Sequence, residues 1–192
     1  MAAHNGARYI TQQINSILDQ LSPSDELIVV DDASDDNTHE IIYGLNDNRI
    51  VLLRNEENQG VLRAFERVLM EASNDIVFIS DQDDLWLPDK VKRYLQEFEK
   101  YPNTTLLVSD AYVINEHGEV LLDSFFSWRG QFHAGIVANI IKNKYLGCTM
   151  AFRKEMRRYY LPFLKDIPMH DIWIGLVNQI CGKVGFIERK AN

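Results

Sequence analysis

The 192-residue chain sets 20 lysines and arginines against 28 acidic side chains, a formal net charge of −8, with 46% hydrophobic residues. Such a composition builds a globular domain, and its acidic balance, with a pI near 5.1, disfavours a protein that wraps nucleic acid or coats anionic lipid, since both need a basic face. No apolar run approaches the roughly 18 to 20 residues of a membrane span and no charged-then-apolar leader opens the chain, so a domain neither membrane-spanning nor exported is expected.

Ala7 to Leu21 places Ile10, Ile14, Ile17, Leu18 and Leu21 on one stripe of a helix. Glu26 to Asp31 is a short run of branched apolar residues, read as a strand buried on both faces, and Asp36-Asn-Thr38 supplies helix-start chemistry before Ile41, Ile42 and Leu45. Ile50 to Leu53 is again a strand, Gly60 to Ala72 a helix carrying Val61, Leu62, Phe65, Val68 and Leu69, and Asp75 to Ser80 a further buried strand. This alternation predicts parallel sheet with crossover helices. Beyond Pro88 the spacing predicts a helix packed through Val91, Leu95 and Phe98, then a strand from Thr105 to Ile114 and a tight turn at Glu116-His-Gly-Glu119 into a short returning strand. A helix around Ile136 to Ile141, a strand near Tyr145 to Phe152, an amphipathic helix from Asp171 and a last strand from Lys183 to Glu188 complete the reading.

No repeat or linker divides the chain, and one domain over residues 1–192 is expected. Only Met1 to Ala3 precede His4-Asn5-Gly6, so the first strand of the sheet is expected either to be clipped or to consist of these residues. Cys148 and Cys181 both lie in apolar stretches and read as buried thiols, which fits a reducing compartment.

Three acidic clusters stand where open α/β sheets place a ligand crevice, at or near the ends of apolar elements. Asp31-Asp-Ala-Ser-Asp-Asp36 follows the first long strand; it is not a calcium loop, because glycine is missing at its sixth position and glutamate at its twelfth. Asp32 is the candidate ligand contact and Asp36 the candidate helix cap. Asp81-Gln-Asp-Asp84 follows the strand ending at Ser80, and two carboxylates at spacing two on an extended segment point the same way, as a hard divalent cation needs. Asp171, after Met169-His170, opens the last helix, where capping and chemistry are both open to it. Trp86 and Trp173 read as packing residues, and Trp128 as a candidate acceptor contact.

In order and spacing, His4-Asn5-Gly6, Asp31-Asp-Ala-Ser34 with Asn37-Thr38, Asn55 to Gly60, Asp81-Gln-Asp-Asp-Leu-Trp-Leu-Pro88 and Met169-His-Asp171 resemble the family-2 glycosyltransferases over nearly the whole chain, in particular their bacterial rhamnosyltransferase-like branch. The resemblance implies an α/β fold of GT-A type, with a Rossmann-like, mostly parallel central sheet flanked by helices. It also implies inverting transfer of a sugar from a UDP- or dTDP-linked donor to a glycan or lipid-linked acceptor in cell-surface polysaccharide synthesis, with Mg²⁺ or Mn²⁺. Asp32 then resembles the acid that reads the donor's base, with His4, where many relatives have tyrosine, and Asn5 beside it. Asp81 and Asp83 are similar to the outer members of the D-x-D motif, serving the ribose, the diphosphate and the metal. Asp171 resembles the base, and His170 a positioning residue or acceptor contact.

For the diphosphate, the matching helix offers Arg63, with Arg67 the alternative. The chain also stops at Asn192, short of the family's usual later segment. The resemblance implies a cytoplasmic protein, peripheral to the inner face of the plasma membrane at most. Two other readings use the same residues: a nucleotidyltransferase, which would release pyrophosphate, and a nucleotide-sugar-binding module without turnover.

Overall fold

A computed structural model describes residues 1–130 and 145–187, so the helix expected over Ile136 to Ile141 lies outside the described residues. Ala2–Ala3 (β1) pairs in parallel with Leu27–Asp31 (β2), which pairs in parallel with Ile50–Arg54 (β3). The residues ahead of His4 thus contribute a short strand to the sheet. Because side chains alternate across a strand, β2 is covered twice. Leu27 and Val29 join Ile10, Ile14 and Ile17 of helix α1 (Ile10–Leu18) and Ile42 of α2 (Thr38–Gly44). Ile28 and Val30 join Ala64, Phe65, Val68 and Leu69 of α3 (Val61–Glu71) on the other face. Each such side chain contributes roughly 1.5 to 3 kcal/mol on burial.

The chain then builds a second sheet. Its strands are Ile76–Phe78 (β4), which leads to α4 (Lys90–Lys100), and Leu106–Ser109 (β5). A hairpin of Val113–Ile114 (β6) and Val120–Leu122 (β7) precedes α5 (Phe125–Arg129). After a 3₁₀ turn at Gly147–Thr149 come Met150–Arg153 (β8), α6 (Arg157–Tyr160), α7 (His170–Cys181) and Val184–Ile187 (β9). The order is β4-β8-β5-β9, with β8 alone running against its neighbours. No helix among the described residues is long and apolar enough to cross a membrane.

Three expectations change. The Thr105 to Ile114 strand splits after Ser109, because the Asp110 carboxylate accepts bonds from the Ala111 amide, the Ser124 hydroxyl and the Phe126 amide and turns the chain out of the sheet. On α4 the buried stripe runs through Lys90, Val91, Tyr94 and Phe98, and Leu95 is left exposed. Cys148 is buried as expected, but Cys181 is exposed at the end of α7.

Helix α7 packs so closely against Tyr145 that a Cβ at Gly175 would lie 2.3 Å from the ring, whereas one at Gly44 would meet nothing within 4 Å. Gly175→Ala should therefore destabilise the fold by about 1 to 3 kcal/mol through overpacking. Gly44→Ala should stabilise it by up to about 1 kcal/mol through helix propensity. Urea unfolding of both variants checks the contrast, which equal effects would contradict.

Candidate active site

The loop after β1 is sewn to two acidic segments by side chain–backbone bonds. Gln82 pairs with both backbone polar atoms of His4, at 2.9 and 3.1 Å. The His4 ring contacts the Asp32 carbonyl through Nδ1 at 2.9 Å and Asn58 through Nε2 at 3.0 Å. Asn5, in the left-handed region at φ 52°, donates its amide to Ser34 Oγ and accepts from the Asp35 amide, while the Gly6 amide donates to Thr38 Oγ1. A Cβ at Gly6 would strike Gln82 Oε1 at 2.3 Å. His4, Asn5, Asp32 and Gln82 therefore share one crevice edge at the strand ends.

Asp32 is nearly buried, and its carboxylate accepts from Asn55 Nδ2 at 2.5 Å, the Gln59 amide at 3.0 Å and the Gly60 amide at 2.8 Å. It anchors the segment leading into α3. Asp31 accepts from the Ser34 amide and lies 3.2 Å from His39 Nδ1 and 3.4 Å from Arg54 Nε. Asp36 accepts from the Ala7 and Thr38 amides, bonds that hold its carboxyl below the usual range even though burial acts the other way. Arg63 is paired with Glu66 at 2.5 Å, and Arg67 donates to the Arg54 carbonyl and to Asn55.

The second cluster is electrostatically different. Burial, then the charges of Asp84, Asp83 and Asp171, push Asp81 up to about 7. Burial likewise raises Asp84, against a hydrogen bond from Cys148 and the attraction of Lys90. Lys90 has no exposed surface, and burial lowers it to about 7. Asp83 is exposed, facing a cleft of about 310 Å³ whose lining includes Tyr9, Gln12, Asp84, Glu116 and His117. A carboxylate oxygen from each of Asp81 and Asp84 and the Cys148 Sγ lie within 4.8 Å of one another, a grouping that could hold a metal ion and that does not include Asp83. The mutual repulsion that raises Asp81 is what a hard divalent cation would relieve, and the oxygen donors of Asp81 and Asp83 suit such an ion.

The third cluster meets the second through Gly147. Met169, not Asp171, is the cap of α7, and no side chain bonds there. Asp171 sits in the first turn, where burial raises its carboxyl while the amides of Ile172, at 2.6 Å, and Gly147 pull it back. His170 is buried, stacks on Phe65 with ring centroids 3.8 Å apart, and finds no hydrogen-bond partner for either ring nitrogen among the described residues. Trp86 and Trp173 pack into cores, and Trp128 is exposed on α5 beside Arg129.

Of the residues singled out in the sequence, Asp81 lies in the cluster with Asp84 and Cys148, Asp83 faces the neighbouring cleft, and Asp171 adjoins through Gly147; the contacts of Gln82, Lys90 and Gly147 were not foreseen.

Comparison with known proteins gives the arrangement a family context. The model of the family described as Glycosyl transferase family 2 matches residues 1–160. The chain is 29% identical over 184 residues to a Bacillus subtilis protein named as teichuronic acid biosynthesis glycosyltransferase TuaG, covering 92% of this chain and 70% of that one. It is 28% identical over 182 residues to the Escherichia coli UDP-Glc:alpha-D-GlcNAc-diphosphoundecaprenol beta-1,3-glucosyltransferase WfgD, covering 92% and 68%. The fold is similar to that of the mannosyltransferase PcManGT from Pyrobaculum calidifontis, solved in complex with GDP-Man and Mn²⁺. The TM-score is 0.73 at 20% identity, and the match covers 97% of this chain and 53% of that one.

Burial lowers His170 from 6.5 to about 4, so between those values the unfolded chain takes up a proton that the folded one refuses. That burial carries no protonation penalty above about pH 6.5 and destabilises the fold as pH falls, by about 3 kcal/mol near pH 4. His170→Phe keeps a ring against Phe65 and removes this sensitivity. Urea unfolding should show wild type losing about 2 kcal/mol or more relative to the variant between pH 7.5 and 4.5; parallel pH profiles would contradict it.

Proposed function

Since the chain belongs to glycosyl transferase family 2, a family of glycosyl-transferring enzymes, we propose that it moves a sugar, with inversion, from a UDP- or dTDP-linked donor to a hydroxyl of a glycan or lipid-linked acceptor in bacterial surface-polysaccharide synthesis. The observation that carries the reading is the meeting of two separately positioned acidic segments at one turn: a Cβ at Gly147 would lie 3.6 Å from Asp171 Cβ, and the ligand atoms of the adjoining Cys148, Asp81 and Asp84 lie within 4.8 Å of one another. One partly buried base beside a cluster of charge-binding carboxylates is what a single displacement at an anomeric carbon requires.

The roles divide by environment. His4, Asn5 and the Asp32 backbone form the edge on which a nucleoside base would rest, and Asp32 keeps the Asn55 to Gly60 segment in place beneath it. Asp83 and Asp81 would hold Mg²⁺ or Mn²⁺, which when bound supplies positive charge against the leaving diphosphate. Asp171 accepts the proton of the attacking hydroxyl. Burial suits it to this by raising its affinity for a proton, and the Ile172 and Gly147 amides fix the direction in which it accepts. His170 lies behind this acid, against Phe65, and acts by packing. Glycosyl transfer on lipid-linked acceptors by the relative WfgD supports the acceptor class, and the Mn²⁺ of PcManGT supports the cation.

The test uses the full-length protein with UDP- and dTDP-sugars and Mg²⁺ or Mn²⁺. Release of nucleoside diphosphate is expected, and release of pyrophosphate from a nucleoside triphosphate would favour a nucleotidyltransferase instead. Asp83→Ala should abolish the metal-dependent part of nucleotide binding in calorimetry without loss of fold, because the side chain is exposed. Asp171→Asn should lower turnover at least about a hundredfold with donor binding retained. Near-normal turnover in a folded Asp171→Asn protein would remove the base.

A further inference from the structure

Helix α4 meets the site from beneath through two side chains whose polar ends its packing does not need. Lys90 and Tyr94 are both fully buried, one turn apart. The Lys90 ammonium donates to the Cys148 carbonyl at 2.5 Å and lies 4.3 Å from the centre of the Trp86 ring. Tyr94 Oη donates to the Thr149 carbonyl, also at 2.5 Å. Both bonds end on the three-residue turn Gly147–Thr149.

That turn touches both halves of the site. Its Cys148 thiol bonds the Asp84 side chain, and its Gly147 amide bonds the Asp171 carboxylate. Gly147 itself is pressed between groups that leave little room: a Cβ there would sit 3.2 Å from His170 Nε2 and 3.6 Å from Asp171 Cβ. A continuous path of short contacts therefore runs from Lys90 through the turn to Asp171, with Asp84 beside it.

A buried amine is a costly way to fill a helix stripe that methionine or leucine would fill as well. Its return lies in what it fixes, since two carbonyls held at one turn define where the preceding Gly147 amide and the Cys148 thiol that meets Asp84 can fall. We propose that Lys90 is a positioning residue for glycosyl transfer, holding the Gly147–Thr149 turn so that Asp171 is presented to the acidic loop. Tyr94 shares the task from the next turn of α4, and the face of Trp86 keeps the ammonium in register. The proposal rests on the reading of Asp171 as the base.

The test is a double-mutant cycle on the full-length protein, with nucleoside diphosphate release measured from UDP-glucose or dTDP-rhamnose, whichever it turns over. Lys90→Met, close in shape and uncharged, should lower kcat at least about tenfold while the donor KM stays within about twofold, the signature of a misplaced base. Lys90→Met combined with Asp171→Asn should be no slower than Asp171→Asn alone, because the lysine acts through the aspartate. Tyr94→Phe should show the same split at smaller size, and it takes the place of Lys90→Met in the cycle if that variant does not fold.

Normal kcat in a folded Lys90→Met or, failing it, Tyr94→Phe protein, with Asp171→Asn slow, overturns the positioning role alone. So does a double variant slowed by the product of the single losses, or a Lys90→Met loss that lies in donor KM. Normal turnover in Asp171→Asn overturns the base and the positioning role together.

Discussion

A carboxylate withdrawn from water beside other carboxylates stays charged only if something opposes its neighbours, and much of the site is arranged around that condition. Asp81, Asp83 and Asp84 follow β4 on one short loop, with Asp171 arriving from α7. Among the described residues Lys90 lies beneath them, fully buried and drawn toward Asp84 and Asp81 although burial lowers it to about 7, and the buried Met1 ammonium adds a second attraction on Asp81. These amines against four acids leave negative charge unbalanced on the open side, where Asp83 is exposed.

The same residue type does different work a few ångströms away. Asp31, Asp32, Asp36 and Asp110 also stand near strand ends, yet each spends its carboxylate on amides or side chains of its own loops. A carboxylate accepting two or three amide bonds is satisfied where it is and holds irregular backbone in shape, which crevice loops need because they have no ladder of their own. Asp81 has neighbours that repel it instead. Aspartates placed alike in the sequence thus differ in whether their surroundings satisfy or oppose them, which spacing alone does not record.

This difference also marks how far the sequence was legible. The stripes of α1 and α3 and the run of β2 could be read because burial on one or two faces is written directly into apolar spacing. The break after Ser109 could not, since Asp110 finds its partners fourteen and sixteen residues later, at Ser124 and Phe126. Leu95 was misplaced for a similar reason: the stripe of α4 admits Lys90 and Tyr94 because their polar ends reach backbone carbonyls more than fifty residues away, and that shifts the buried face by one position. Long-range polar contacts leave no period in a sequence.

The start of α7 gathers these strands of argument. A helix N-terminus favours an acid, so an aspartate there invites explanation as a cap. Yet the cap position belongs to Met169, and the nearest bonds of Asp171 run to the following amide and to Gly147 from a different part of the chain. A residue that served only the helix would not need that second partner. Nor would the helix need a histidine stacked on Phe65 immediately before it, with Gly147 so near that a Cβ there would lie 3.2 Å from the ring nitrogen. The packing of α7 fixes the backbone at residue 170, the α4 clamp fixes the turn at residue 147, and Asp171 is left with little freedom except to point where both allow. Precision at the carboxylate thus comes from two elements whose own contacts are made deep in the core.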